Sequence, residues 1–248
     1  MLSSTSEKAL HDFLLCIMDA ERRIEGKRQA LCQIYDFNPK SSFLRLDRDN
    51  NEFIAALEVL NFLRDNKEYS LTLQDCESFV NFYDNDKDGY LDYDEFLQIV
   101  RPCEDIPLRD SVLERRSLEL SRFDFLPANQ EIMMSDLFIT EMMVLKRIEA
   151  EKGKMGGCSV YGILGSIDKK NEGGINIDNL REFFARQGSF PTKGDLYCVI
   201  RRMDTDGDAV VTSGELAEYM QPLSESKEPK IQDAYKDSKS SFQGKAEQ

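Results

Sequence analysis

Apolar residues recur at three- and four-residue steps along most of the chain, in stretches separated by acidic loops. Leu10, Phe13, Leu14, Ile17, Met18 and Ile24 make one stripe, and Leu137, Phe138, Met142, Val144, Leu145 and Ile148 make another. A period near 3.6 puts each set along one side of a helix. Shorter stripes lie between them. Cys76, Phe79, Val80 and Tyr83 follow Thr72 and Asp75, a hydroxyl and an acid spaced as in a capping box, while Phe96, Ile99 and Val100 run on until Pro102 stops that helix. Thr192, Asp195, Leu196, Val199, Ile200 and Met203 repeat the first of these. The long stripes repeat as well, since DFLLCIMDAERRIE from Asp12 aligns with DLFITEMMVLKRIE from Asp136. The pattern predicts an all-α chain built of two related halves, each opening on a long extra helix.

The loops between the short stripes concentrate carboxylates. Asp84 to Glu95, DNDKDGYLDYDE, holds six acidic residues in twelve. Two carboxylates about 4 Å apart repel by about 4 kcal/mol at an effective dielectric of about 20, so such a loop makes sense with a cation inside it. The spacing is that of a hard, many-oxygen calcium shell. Asp84, Asp86 and Asp88 each offer an oxygen, Tyr90 its carbonyl, Asp92 a direct or water-mediated contact, and Glu95 both carboxylate oxygens. Gly89 permits the positive φ of the tight turn. Leu91 faces the other way, toward a neighbouring loop. The stretch DTDGDAVVTSGE repeats the scheme with Asp204, Asp206, Asp208, the carbonyl of Val210, Thr212 and Glu215. Ala209 stands where the scheme wants glycine, and a Cβ in the left-handed region costs about 1 kcal/mol or more, so weaker binding is expected there.

Each complete loop has a degraded partner upstream. In DRDNNEFIAALE, Asp47, Asp49, Asn51 and Glu58 hold ligand positions and Ile54 the pairing position, but Glu52 replaces the glycine. The charges suit an ion and the turn does not, which leaves open a filled loop or one that only braces its neighbour. DKKNEGGINIDN has Lys170 third and Asn179 last, so it is expected to be metal-free, with Ile175 kept to pair with Val211.

Helix, oxygen-rich loop, helix is the EF-hand pattern, and the chain resembles the calmodulin superfamily. The resemblance implies a lobe over residues 7–102 with loops 47–58 and 84–95, a linker over 103–130, a second lobe over 131–223 with loops 168–179 and 204–215, and a polar tail over 224–248. Each lobe pairs its helix–loop–helix units through a short two-stranded loop ribbon. The leading helices are expected to cover their own lobe's cleft rather than to bind a target. The two-lobed plan, with long leading helices and a proline-bounded arginine helix between, is similar to EF-hand proteins of protist ciliary and flagellar axonemes, some of which line doublet microtubules. That resemblance implies an axonemal protein partner, tubulin among the candidates.

Composition narrows the rest. A chain of 248 residues has room for two cores, and its net charge of −14 argues against nonspecific nucleic-acid binding. Six scattered cysteines suit a reducing, cytoplasmic setting. No apolar run is long enough to cross a membrane, no signal segment is expected, and Leu2 is incompatible with N-myristoylation. The linker carries Arg109, Arg115, Arg116 and Arg122, with a helix expected from about Pro107 to Ser121. That helix offers either a docking surface for an acidic partner or a solvated face paired with Glu114 and Glu119. The tail is lysine-rich and polar, a composition that favours disorder.

No catalytic constellation is present. His11, the one histidine, is expected at the surface, and KGKMGGCS around Gly156 lacks the spacing of a phosphate loop. The expected function is therefore non-catalytic calcium binding within a larger assembly. The alternative is a soluble calcium sensor, or a calcineurin-B-like regulatory subunit, in which Met133, Met134, Met142, Met143 and Met155 serve as pliable contacts rather than as core.

Overall fold

Ser3 begins the first helix, its hydroxyl accepting from the Ser6 amide at 3.1 Å, and α1 then runs unbroken over Ser4–Cys32. The computed structural model describes residues 2–118 and 124–223, and all regular elements among them are helical. The tail over 224–248 and the expected linker helix beyond residue 118, with Glu119 and Arg122, lie outside the described residues. After α1 come α2 (Pro39–Leu46), α3 (Ala56–Asp65), α4 (Leu73–Tyr83), α5 (Tyr93–Val100) and α6 (Ile106–Ser111). The second half repeats the order with α7 (Ala128–Lys154), α8 (Val160–Ile167), α9 (Ile177–Arg186), α10 (Lys193–Met203) and α11 (Ser213–Tyr219).

The expected caps are made. Thr72 accepts from the Asp75 amide at 3.3 Å while Asp75 accepts from the Thr72 amide at 2.9 Å. Thr192 and Asp195 do the same at 3.3 and 2.8 Å. Each half then joins its two helix–loop–helix units through one antiparallel bridge, Ile54 with Leu91 and Ile175 with Val211, with both amides donating across at 2.9 to 3.0 Å.

The long leading helices lie antiparallel, tied at one end by Lys27 and Asp136 and at the other by Arg147 and Asp19, 2.9 Å apart. Their destinations correct the sequence expectation. The N-terminal half of α1 enters the second half's groove, where Leu10, Phe13 and Leu14 line one apolar cavity with Ile163, Val199 and Leu216. Phe13 packs on Tyr219, with ring centres 6.4 Å apart. The N-terminal half of α7 enters the first half's groove, where Phe138 lies 5.7 Å from Phe62 and 5.1 Å from Phe79. Lys146 reaches Asp75 on α4 at 2.9 Å. The N-terminal half of each leading helix thus fills the other half's groove, while the C-terminal half of α1 packs on its own half through Arg28 and Cys32. Duplication makes the two grooves chemically alike, so an apolar stripe alone does not say which one it fills.

Charged groups buried along these stripes supply the missing selectivity. Arg202 on α10 sits 2.5 Å from Glu21 on α1 and 2.6 Å from Glu141 on α7. Arg28 on α1 donates to the Ile99 carbonyl at 2.9 Å and to the Tyr83 hydroxyl at 3.2 Å. At the start of α7, Glu131 meets Arg45 of α2 at 2.6 Å and accepts from Asn66 at 2.9 Å. All of these arginines and glutamates are buried. An unpaired buried charge costs several kcal/mol, so each pair is a register mark that the helices must satisfy together.

The linker departs from expectation. Its helix ends at Ser111, with Val112 fully buried behind it. Arg115 lies past that end and donates to the carbonyls of Cys32, Ile34 and Phe37 at 2.7 to 3.1 Å, closing the C-terminus of α1. It is spent inside the protein and is not part of a free docking face; Arg116 remains exposed. His11 is not a surface residue either: it is half-buried, 5.4 Å from the Phe184 ring and 2.8 Å from the Ser189 hydroxyl. Met134, Met142 and Met155 are core, Met133 is half-buried, and Met143 is exposed.

The crossover makes a distinctive prediction. Phe138→Ala removes a ring from the first half's groove and is expected to cost about 3–5 kcal/mol in urea unfolding. Amide exchange in the variant is expected to quicken first across α3 and α4. Quickening confined to α9 and α10 would contradict the crossover.

Candidate metal centre

Loop 84–95 hangs between the C-terminus of α4 and the N-terminus of α5. Asp84 closes α4, its amide donating to the Val80 carbonyl at 2.9 Å. Its carboxylate then accepts from Lys87 at 2.6 Å and Gly89 at 2.8 Å, folding the loop back over itself. Glu95 accepts from Asn85 at 2.6 Å and from Asp92 at 3.0 Å. As a result one oxygen each of Asp84, Asp86 and Glu95 lies within 4.8 Å of the others. Asp88 accepts from the Tyr90 amide at 2.8 Å, and Asp92 caps α5 by accepting from Glu95 at 2.8 Å. Tyr90 is half-buried and its ring faces Phe53 of the neighbouring loop at 6.2 Å.

The other loops take the same path. The fourth position has positive φ in all of them (Asn50 59°, Lys87 63°, Asn171 58°, Gly207 77°), as does the sixth (Glu52 71°, Gly89 90°, Gly173 96°, Ala209 67°). The sixth amide donates to the first Asp in each, at 2.8 to 3.0 Å. The missing glycine at Glu52 and Ala209 therefore does not abolish the turn; those residues accept left-handed backbone and carry its cost.

In loop 204–215, Asp204, Asp206 and Glu215 bring oxygens within 4.8 Å. Asp208 accepts from the Val210 amide at 2.8 Å. Val210 packs on the paired loop so closely that a Cβ on Gly174 would come within 2.5 Å of it, which accounts for glycine there. Thr212 caps α11, and its hydroxyl with that of Thr205 donates to Glu215 at 2.9 and 3.0 Å. Thr205 is a participant that motif reading passes over, because its side chain stands at a position the ligand scheme ignores.

Electrostatics separates the two complete loops. Burial pushes Asp84 and Glu95 up, against the pull of the surrounding amides. Burial pushes Glu215 up as well, but the amides and hydroxyls of Thr212 and Thr205 outweigh it and hold the group at about 2. Glu95 and Glu215 accept from equivalent loop amides, and the two threonine hydroxyls at Glu215 have no counterpart at Glu95.

The degraded loops differ from each other. Asp47, Asp49 and Glu58 gather within 4.8 Å, although the ninth position is Ala55 and offers no side-chain oxygen. In loop 168–179 no comparable cluster forms among the described residues. Lys170, third in this loop, pairs with Glu182 of α9 at 2.5 Å. Asn179 instead accepts from the Asn176 amide at 3.0 Å and donates to Glu172 at 3.2 Å. The side-chain donors of the clusters are carboxylates alone, without imidazole or thiolate, a set that fits a hard divalent cation.

Among the described residues no helix is long and apolar enough to cross a membrane. No curated protein matches the chain. Residues 40–113 match the family model described as an EF-hand domain pair. That segment runs from the second residue of α2 through α6 and contains the two loops joined by the Ile54–Leu91 bridge and two of the three carboxylate clusters found among the described residues. Over residues 40–113, therefore, the chain carries an EF-hand domain pair, set within an all-α fold.

Proposed function

We propose that the protein is a non-catalytic calcium-binding component of a larger assembly, in which the ion stiffens the fold rather than opening it. The first shell is Asp84, Asp86, Asp88, the Tyr90 carbonyl, Asp92 and Glu95. The second, weaker shell is Asp204, Asp206, Asp208, the Val210 carbonyl, Thr212 and Glu215. One observation carries the stiffening reading: both apolar grooves are already filled by the chain's own leading helices, with Phe13 in one and Phe138 in the other. A sensor or a calcineurin-B-like subunit needs a groove that calcium empties. Here opening would expose those rings and break the buried Arg202 and Arg45 pairs.

The assembly we have in mind is the axonemal doublet microtubule, with tubulin or another axonemal protein as partner. The support is the two-lobed plan with its long leading helices, together with the exposed Arg116 on the linker. With Arg115 used internally, the basic contact is small.

Calorimetric titration with calcium is expected to give two sites, with Glu95→Gln removing the tighter and Glu215→Gln the weaker. Four comparable sites, or none, would contradict the assignment. Adding calcium is expected to leave binding of an apolar fluorescent dye unchanged; a strong rise would favour the sensor. In cells, the protein is expected to stay with salt-washed axonemal microtubules with or without chelator, and release on chelation would count against a permanent structural place.

A further inference from the structure

Phe82 and Arg202 hold the same place in the two halves, each standing two residues before the first Asp of a complete loop. The fold sets these equivalents face to face, with the guanidinium carbon of Arg202 4.2 Å from the centre of the Phe82 ring. Tyr83, next to Asp84, packs edge-on against Phe82 at 4.9 Å and accepts from Arg28 at 3.2 Å. Arg28 in turn lies 3.8 Å from Glu21, the carboxylate that also holds Arg202. The last turns of α4 and α10 therefore close on one buried cluster. Asp84 and Asp204 are the C-caps of those same turns, their amides donating to Val80 and Ile200 at 2.9 and 2.8 Å.

A second contact joins the same two sites at the surface. Lys87, fourth in the first complete loop, pairs with Glu218 on α11, three residues beyond Glu215. Within a half, the bridge joins a complete loop to a degraded one. Across the halves, complete is joined to complete.

We propose that loops 84–95 and 204–215 bind calcium cooperatively as one pair across the two halves, with the Phe82–Arg202 contact as the route between them. The proposal rests on the calcium-binding reading above. An ion that draws in Asp84 and Glu95 fixes the last turn of α4, and with it Phe82 and Tyr83. Arg202, held on its other sides by Glu21 and Glu141, is then fixed against them, and Asp204 follows two residues on. A close-packed interior passes such a constraint between helices because it has no slack to absorb it.

The test uses the full-length protein and calcium alone, read site by site from the amide resonances of Gly89 and Ala209. In Glu95→Gln, the midpoint at Ala209 is expected to move to about five- to tenfold higher calcium than in the wild type, within the usual range of site–site coupling. By linkage, Glu215→Gln moves the Gly89 midpoint by the same factor. Phe82→Leu combined with Lys87→Gln keeps both shells and an apolar, though smaller, side chain at position 82, and is expected to bring that factor close to one. If each site keeps its wild-type midpoint when the other is removed, coupling is refuted and the calcium reading stands. If the double variant keeps the full factor, the proposed route is refuted. Absence of calcium-dependent shifts at either amide in the wild type would overturn the binding reading itself.

Discussion

Arg202 cannot be buried alone. Removing a guanidinium from water costs several kcal/mol even after relaxation, and the cost is offset only when opposite charges meet it in good geometry. Here Glu21 comes from one leading helix and accepts a hydrogen bond at 2.5 Å, while Glu141 from the other supplies its charge at 2.6 Å without a hydrogen bond. Both carboxylates reach one guanidinium on α10 only if α1 and α7 run side by side through the middle of the molecule. That requirement makes the two halves one body. Arg45, Glu131 and Asp65 set the far end of α7 in the same way. The apolar stripes provide the bulk of the burial, and the ion pairs choose among arrangements that apolar contact would accept equally.

The consequence for function is a molecule whose grooves are full. In an EF-hand sensor, calcium is useful because helix movement uncovers an apolar surface for a partner. In this chain the surface is covered by helices on which the central charges also depend. On the proposed reading, calcium adds rigidity at two loops whose entering helices abut the same buried cluster. Burial pushes the carboxyls of Asp84 and Glu95 upward, against the amides that hold them.

The loops were legible in the sequence because their chemistry is local. The gathering of Asp84, Asp86 and Glu95 and of Asp204, Asp206 and Glu215, the pairing residues Ile54, Leu91, Ile175 and Val211, and the caps at Thr72 and Thr192 follow from spacing over a dozen residues. Glu52 was misleading: glycine is the cheap way to left-handed backbone, yet the Asp47 carboxylate holding the Glu52 amide at 3.0 Å is enough to keep the turn. Lys170 leaves the loop for Glu182, as a long flexible side chain can, and no carboxylate cluster forms there among the described residues. The crossover of α1 and α7 was not legible. Periodicity reports that a helix has an apolar side, and the partners of Glu21, Glu141 and Arg202 lie more than a hundred residues apart or on different helices, so no local pattern shows them together. Arg115 belongs to the same class, because a carbonyl partner leaves no trace in a sequence.

The crossed arrangement can be tested in the unmodified protein. Zero-length carbodiimide coupling joins an amine to a carboxylate already in contact, and two such pairs report on the two leading helices. Lys146 of α7 lies 2.9 Å from Asp75 of α4, and Lys169 lies 3.9 Å from Glu7 of α1. Mass spectrometry of the coupled monomer is predicted to find both links, in calcium and in chelator alike. Loss of both links from the monomer, with α1 joined only to the first half and α7 only to the second, would contradict the account.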